Sequence, residues 1–129
     1  MLKKLFKNKF SDPKKLGLWG EKTSEKFLKK NGYKTLTKNF SCRTGEIDLI
    51  MVAPDSSIVF VEVKTRSDQK FAPIESAVTA AKKIKMLKTA KYFLAANNID
   101  NRPLRFDIIT IEKSDTGREK INHYKNVFT

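Results

Sequence analysis

The sequence predicts a single α/β or α+β domain built around a central sheet. Three observations predict it. The 129 residues suit one compact core that needs no staples. The elements read helix, strands, helix, strands, and no internal repeat or low-complexity linker divides them. The chain is 32% charged and 40% hydrophobic, so its surface is heavily charged, yet its apolar residues fall in periodic blocks rather than thinning out as in a disordered chain.

Residues 1–15 carry six Lys and one Asp, with Leu2, Leu5, Phe6 and Phe10 at roughly helical spacing. We read them as a loosely ordered basic arm, although such a stretch can also touch a membrane or nucleic acid. The domain proper then runs over residues 16–129. A helix follows Pro13 and ends at Asn31-Gly32, a natural stop. Leu16, Gly20, Ser24, Phe27 and Leu28 share its buried stripe. Glu21 lies on the flank of that stripe, and helical spacing alone makes it an ordinary boundary residue.

Residues 33–42, "YKTLTKNFSC", mix Tyr, Thr, Leu and Phe as a strand does. Residues 45–66, "GEIDLIMVAPDSSIVFVEVKTR", read as a hairpin turning at "APDSS". A polar loop runs over 67–73. A long helical region spans roughly 74–97, with Thr79 as the N-cap of its main segment, "IESAV" as a turn before it, and Ile84, Leu87, Ala90, Lys91 and Leu94 as the buried stripe. Lys82 and Lys83 then fall in its first turn, where the helix dipole disfavours cations. Such a pair is a mild defect or a site for an anion. "LRFDIITIE" reads as a strand and "INHYKNVF" as the last one.

The hairpin carries the chemistry. Folded about Asp55, it sets Val52 against Ile58, Ile50 against Phe60, Asp48 against Glu62, and Glu46 against Lys64. In this register the Val and Ile residues share one face, and the four charges share the other. An exposed face with cross-strand ion pairs such as Glu46 with Lys64 accounts for part of this. It does not account for Asp48 against Glu62, because opposed carboxylates destabilise a sheet. A divalent metal between them reverses that sign, and oxygen donors without His or Cys favour Mg²⁺ or Mn²⁺ over Zn²⁺. Lys64, on the same face, can orient or deprotonate a water, or stabilise charge on a phosphate.

Lys and Arg number 27 against 14 acids, a net charge of +13. That excess suits a polyanionic partner, above all nucleic acid, although a general lysine bias would also raise it. The single cysteine, Cys42, excludes an intrachain disulfide and a thiolate zinc cluster. No apolar run approaches the roughly 18 residues of a membrane span, and the basic start lacks the features of a secretory signal. A cytoplasmic location is the expectation.

A helix acid, then Asp, then Glu-x-Lys on the next strand resembles the PD-(D/E)XK nuclease superfamily. The longer segments "GLWGEKTSEKFLKKNGYKTLTKNF", "GEIDLI", "VFVEVKTR", "AVTAAKKIKMLKTAKYFL" and "RFDIITI" resemble the YraN-like family of predicted endonucleases, over nearly all of the chain after about residue 16. That family is similar in fold to Holliday-junction resolvases. The resemblance implies an α/β restriction-endonuclease-like core, a mixed sheet flanked by helices. By position it makes Glu21, Asp48, Glu62 and Lys64 the catalytic set. Asp48 and Glu62, aided by the Val63 carbonyl, would hold Mg²⁺ or Mn²⁺. Lys82 matches a recurrent family lysine. Ser24 stands where relatives often have Ala, and Ala80 and Ala81 replace more polar residues.

The leading expectation is therefore a metal-dependent endonuclease acting on phosphodiester bonds in DNA, at branched or damaged structures. Arg43, Arg66, Lys82 and Lys83 are the candidate phosphate contacts. Two-fold symmetric junction cutting would imply a homodimer, which no residue pattern shows. The alternatives are a non-catalytic nucleic-acid-binding protein that retains the fold, and an interaction protein whose basic surface meets an acidic partner or a membrane.

Overall fold

The computed structural model describes residues 12–66, 78–113 and 117–128. Helix α1 spans Pro13–Lys30. Pro13 stands at its start, where a missing N–H is harmless, and the Asp12 side chain accepts from the Lys14 N–H at 3.0 Å. The helix thus takes in Pro13 to Lys15. It ends at Asn31 and Gly32, whose φ of +88° favours glycine. The predicted stripe holds: Gly20, Ser24 and Leu28 are buried, and Leu16 and Phe27 are half-buried. Gly20 is there for space, since a Cβ at that position would run into the Thr65 hydroxyl.

Strands β1 (Lys34–Cys42), β2 (Gly45–Val52) and β3 (Ile58–Arg66) precede helix α2 (Ala80–Ala96), and β4 (Leu104–Lys113) and β5 (Glu119–Tyr124) follow it. They form one mixed five-stranded sheet in the order β1-β2-β3-β4-β5. Only β3 and β4 run parallel, and α2 lies in the connection between them. The fold is α/β, consistent with the restriction-endonuclease-like core that the resemblance implies. Among the described residues, no helix is long and apolar enough to cross a membrane.

The hairpin register is the expected one where the ladder forms: Val52 pairs with Ile58 and Ile50 with Phe60. The faces differ from expectation. Both are apolar along this stretch, because a helix covers each side. Leu49, Met51, Val59 and Val61 pack with Leu28 of α1, Tyr33, Ile109 and Ile111. Ile50, Ile58 and Phe60 pack instead with Met86, Ala90 and Phe93 of α2 and with Phe106. A strand enclosed on both faces reads as a continuous apolar run, not an alternating one. Strand alternation would set Ile47 beside Leu49 and Met51, but it joins Ile50 on the α2 side.

Thr79 caps α2, its hydroxyl accepting from the Lys82 N–H at 3.3 Å. The turn expected over "IESAV" lies mostly outside the described residues. The buried stripe is Met86, Thr89, Ala90 and Phe93, which corrects the expected one. Ile84 is 54% exposed and Lys91 is exposed; Leu87 and Leu94 only flank the core. The reason is aromatic packing. Phe93 meets Phe40 edge-on at 5.2 Å between ring centroids, and that contact turns the helix. The last strand ends at Tyr124, and Val127 and Phe128 fold back onto the α2-side core.

Candidate functional site

The charged residues of the hairpin gather where β2 leaves β3. The ladder between the two ends at Leu49 opposite Val61, while β3 continues beside β4 as far as Arg66 opposite Glu112. The next N–H of β3 facing β2 belongs to Val63, and Asp48 Oδ2 accepts it at 2.8 Å. A side chain thus replaces the missing ladder partner. A strand residue directs its N–H and C=O to the same edge, so the Val63 carbonyl faces the same gap. Asp48 and Glu62 are therefore neighbours across a parting of strands, not a formal cross-strand pair.

Asp48 is half-buried. Burial pushes its carboxyl above the usual Asp range, the Val63 N–H pulls against this, and the Glu62 charge raises it further. Glu21 comes from α1 and meets Asp48. Burial, and then the Asp48 charge, also raise the Glu21 carboxyl. Helical spacing made Glu21 a boundary residue, but the helix flank here borders the gap, not open solvent. In the amide orientation that satisfies both groups, Asn39 Nδ2 donates to Glu21 Oε1 at 3.2 Å and to Oε2 at 3.1 Å. Asn39 has φ +52°, a left-handed conformation that Asn tolerates better than most residues.

Glu62 is divided in its contacts. Its Oε1 receives two cations, Lys64 at 3.6 Å and Lys82, reaching across from the first turn of α2, in closer contact. Its Oε2 is buried and has no hydrogen-bond partner among the described residues. Glu46 is exposed, and the Lys64 ion pair is with Glu62 on its own strand rather than with Glu46. Arg43 is exposed in the β1–β2 turn, and Arg66 ends β3. Lys83 Nζ lies 5.8 Å from the Phe128 ring centroid, which turns it away from the gap.

The structure thus brings Glu21, Asp48, Glu62, Lys64 and Lys82 together and leaves Arg43 and Lys83 outside. Two features were missed from sequence. Asn39 gave no signal beyond being an Asn inside a strand. For Lys82 it is the partner that was missed: its place in the first turn of a helix marked a mild defect or a site for an anion, taken as phosphate, and the anion it meets is Glu62. Among the described residues, no three His, Cys, Asp or Glu side chains form a ready-made metal cage.

A second buried charge cluster is centred on Asp107 of β4, which lies opposite Val61 in the parallel ladder with β3. Asp107 is fully buried and accepts from Arg105 Nε and Nη2, both at 2.9 Å, from His123 Nε2 at 2.7 Å and from the Asn126 N–H at 3.0 Å. Burial alone would raise its carboxyl. The bonds from His123, Arg105 and Asn126 outweigh that and hold it below the usual range.

The chain matches the sequence profile described as Uncharacterised protein family UPF0102 over residues 20–111. It is 41% identical over 118 residues to a UPF0102 protein of Pelobacter propionicus, covering 91% of this chain and 84% of that one. A UPF0102 protein of Syntrophomonas wolfei is 43% identical over 115 residues, covering 89% and 98%. One from Clostridium perfringens is 40% identical over 116 residues, covering 89% and 94%. The matched segment contains Glu21, Asp48, Glu62, Lys64 and Lys82, and on that match and those relatives the chain belongs to family UPF0102.

Proposed function

We propose that this protein is a metal-dependent endonuclease that hydrolyses phosphodiester bonds in DNA. One observation carries the reading: the carboxylates of Glu21, Asp48 and Glu62 and the ammonium of Lys64 converge where β2 parts from β3. Two raised carboxyls, and a buried carboxylate oxygen without a partner among the described residues, are costly in a free protein. A bound cation would relieve all three.

The donors fit a hard divalent ion. Mg²⁺ commonly takes one or two carboxylates and keeps several waters, so the lack of a three-carboxylate cage is no obstacle. Asp48, Glu62 and the Val63 carbonyl would hold Mg²⁺ or Mn²⁺, which when bound supplies charge neutralisation beside the phosphate and a more acidic water. Lys64, tethered to Glu62, holds the attacking water or the phosphate oxygen in line. Glu21, steadied by Asn39 and raised in pKa, is a better proton acceptor than a surface carboxylate. Lys82, which reaches Glu62, and Arg66, which ends β3, would suit phosphates, and Arg43 would extend the basic surface along the β1–β2 turn.

The reading is tested with single-stranded, duplex, nicked and branched DNA in Mg²⁺ and Mn²⁺, wild type beside Asp48→Asn. Cleavage by the wild type alone supports it, and the preferred substrate gives the class. Binding without cleavage on any substrate makes the protein a nucleic-acid-binding module that keeps the fold. Neither binding nor cleavage removes both.

A further inference from the structure

Lys82 occupies an unusual position for a lysine. It lies in the first turn of α2, where the exposed N–H groups make a cation unfavourable. Its ammonium nevertheless reaches the sheet and closes on Glu62 Oε1, with only 31% of its side chain exposed. Two lysines therefore share one carboxylate oxygen while the other oxygen is buried without a partner among the described residues. Counted together, Glu21, Asp48 and Glu62 carry three negative charges when ionised, and Lys64 and Lys82 two positive ones. Lys64 rises from the same strand as Glu62, two residues further on. Lys82 stands on a separate element with a long flexible stem.

We propose that Lys82 is a resident counter-ion of the acidic site: it neutralises Glu62 while no metal is bound, yields when a divalent cation binds there, and is then free to meet a substrate phosphate. This rests on the proposed metal site. A monovalent ammonium and a divalent ion beside one carboxylate repel each other, so both are not held at full strength. The lysine that leaves Glu62 is already at the edge of the gap, beside the phosphate that the metal would receive. Metal and nucleic acid would then favour each other's binding, and linkage makes that effect mutual. The same ion pair would keep the acids from repelling in the metal-free protein.

The test is the affinity of the free protein for Mn²⁺ alone, measured by titration calorimetry without nucleic acid. Lys82→Met keeps most of the length of the side chain and removes the charge, and should bind Mn²⁺ more tightly, by roughly tenfold at low salt. Lys82→Arg keeps the charge and should stay near wild type. Lys88→Met makes the same change in net charge on the exposed face of α2 and should also stay near wild type. Lys82→Gln replaces Lys82→Met if that variant does not fold. Equal or weaker Mn²⁺ binding by the neutral variant, with Asp48→Asn losing it, overturns the role of Lys82 and leaves the metal site standing. No Mn²⁺ binding by any of these proteins overturns the metal site itself, and the proposal with it.

Discussion

Asp48 Oδ2 accepts the backbone N–H of Val63 at 2.8 Å, at the point where β2 has already left β3. The carboxylate is therefore both a ladder substitute and a charge, and the two roles separate by mutation. Asp48→Asn keeps an acceptor for the N–H and removes the charge. In chelator at neutral pH it should be neutral or stabilising by a few tenths to about 1 kcal/mol. Asp48→Ala leaves the N–H unpaired and should cost about 1–3 kcal/mol. The Asp48 carboxyl is raised above its ordinary 3.8, so ionising it costs stability. That cost is absent in acid and grows as the pH rises through the folded value, so the benefit of Asn should vanish at low pH. Mn²⁺ at a hundredfold excess over Kd should add about 2.7 kcal/mol to the wild type and much less to Asp48→Asn. Thermal melts of the three proteins, in chelator and in Mn²⁺, check all of this. A strong loss in Asp48→Asn without metal would make Asp48 structural, and an equal Mn²⁺ response would put the metal elsewhere.

Glu62→Gln and Lys64→Ala should each abolish metal-dependent cleavage while leaving the circular dichroism spectrum unchanged. Both residues lie in the half of β3 beyond its ladder with β2, where burial drops from complete to partial, so neither is part of the packed core. Full activity in either variant would assign any observed cleavage to a contaminant or another site.

Binding to duplex DNA should weaken with salt. The logarithm of affinity should fall linearly with that of salt concentration, by about 0.9 for each phosphate neutralised. Lys82→Ala should reduce both the affinity and the slope. Fluorescence anisotropy across a salt series gives both numbers, and a salt-independent affinity would rule out the basic surface as the contact.

The Asp107 cluster makes a contrasting prediction. Asp107 is held below its ordinary 3.8, so its ionised form stabilises the fold. That stabilisation is complete above the unfolded value and is lost as the pH falls through the folded one. Asp107→Asn strands the Arg105 guanidinium without its counter-charge and should cost about 3–5 kcal/mol. Chemical denaturation at neutral and acid pH measures it. A Mn²⁺ affinity that changes in parallel would contradict the separation of the two clusters.

The strands, both helix starts and the hairpin register were legible because each rests on local rules: Pro13, Thr79 and the "APDSS" turn announce themselves. The convergence of Asp48, Glu62 and Lys64 followed from period and register. The position of Glu21 did not, because a helix flank reads alike whether it borders solvent or a gap between strands, and only the longer resemblance marked it. The α2 stripe was misplaced because lysines and leucines alternate around that helix. The choice fell to Phe93 and its contacts with Phe40 and Phe60, which lie far away in the chain. The apolar reading of one hairpin face missed that α2 returns to cover the other.

The single parallel join of the sheet has a consequence for the order of assembly. Asp48 and Glu62 are brought near each other by a short hairpin, whereas β4 and α2 reach β3 only after a long crossover with a larger closure entropy. The acids are then expected to meet with Lys64 beside them on the hairpin, before Lys82 arrives from α2. Destabilising substitutions in the hairpin, such as Val59→Ala, should therefore slow folding, while Lys82→Met should leave the folding rate unchanged and hasten unfolding. The last step of folding would then be the docking of a lysine, and the first strain on the native state its departure.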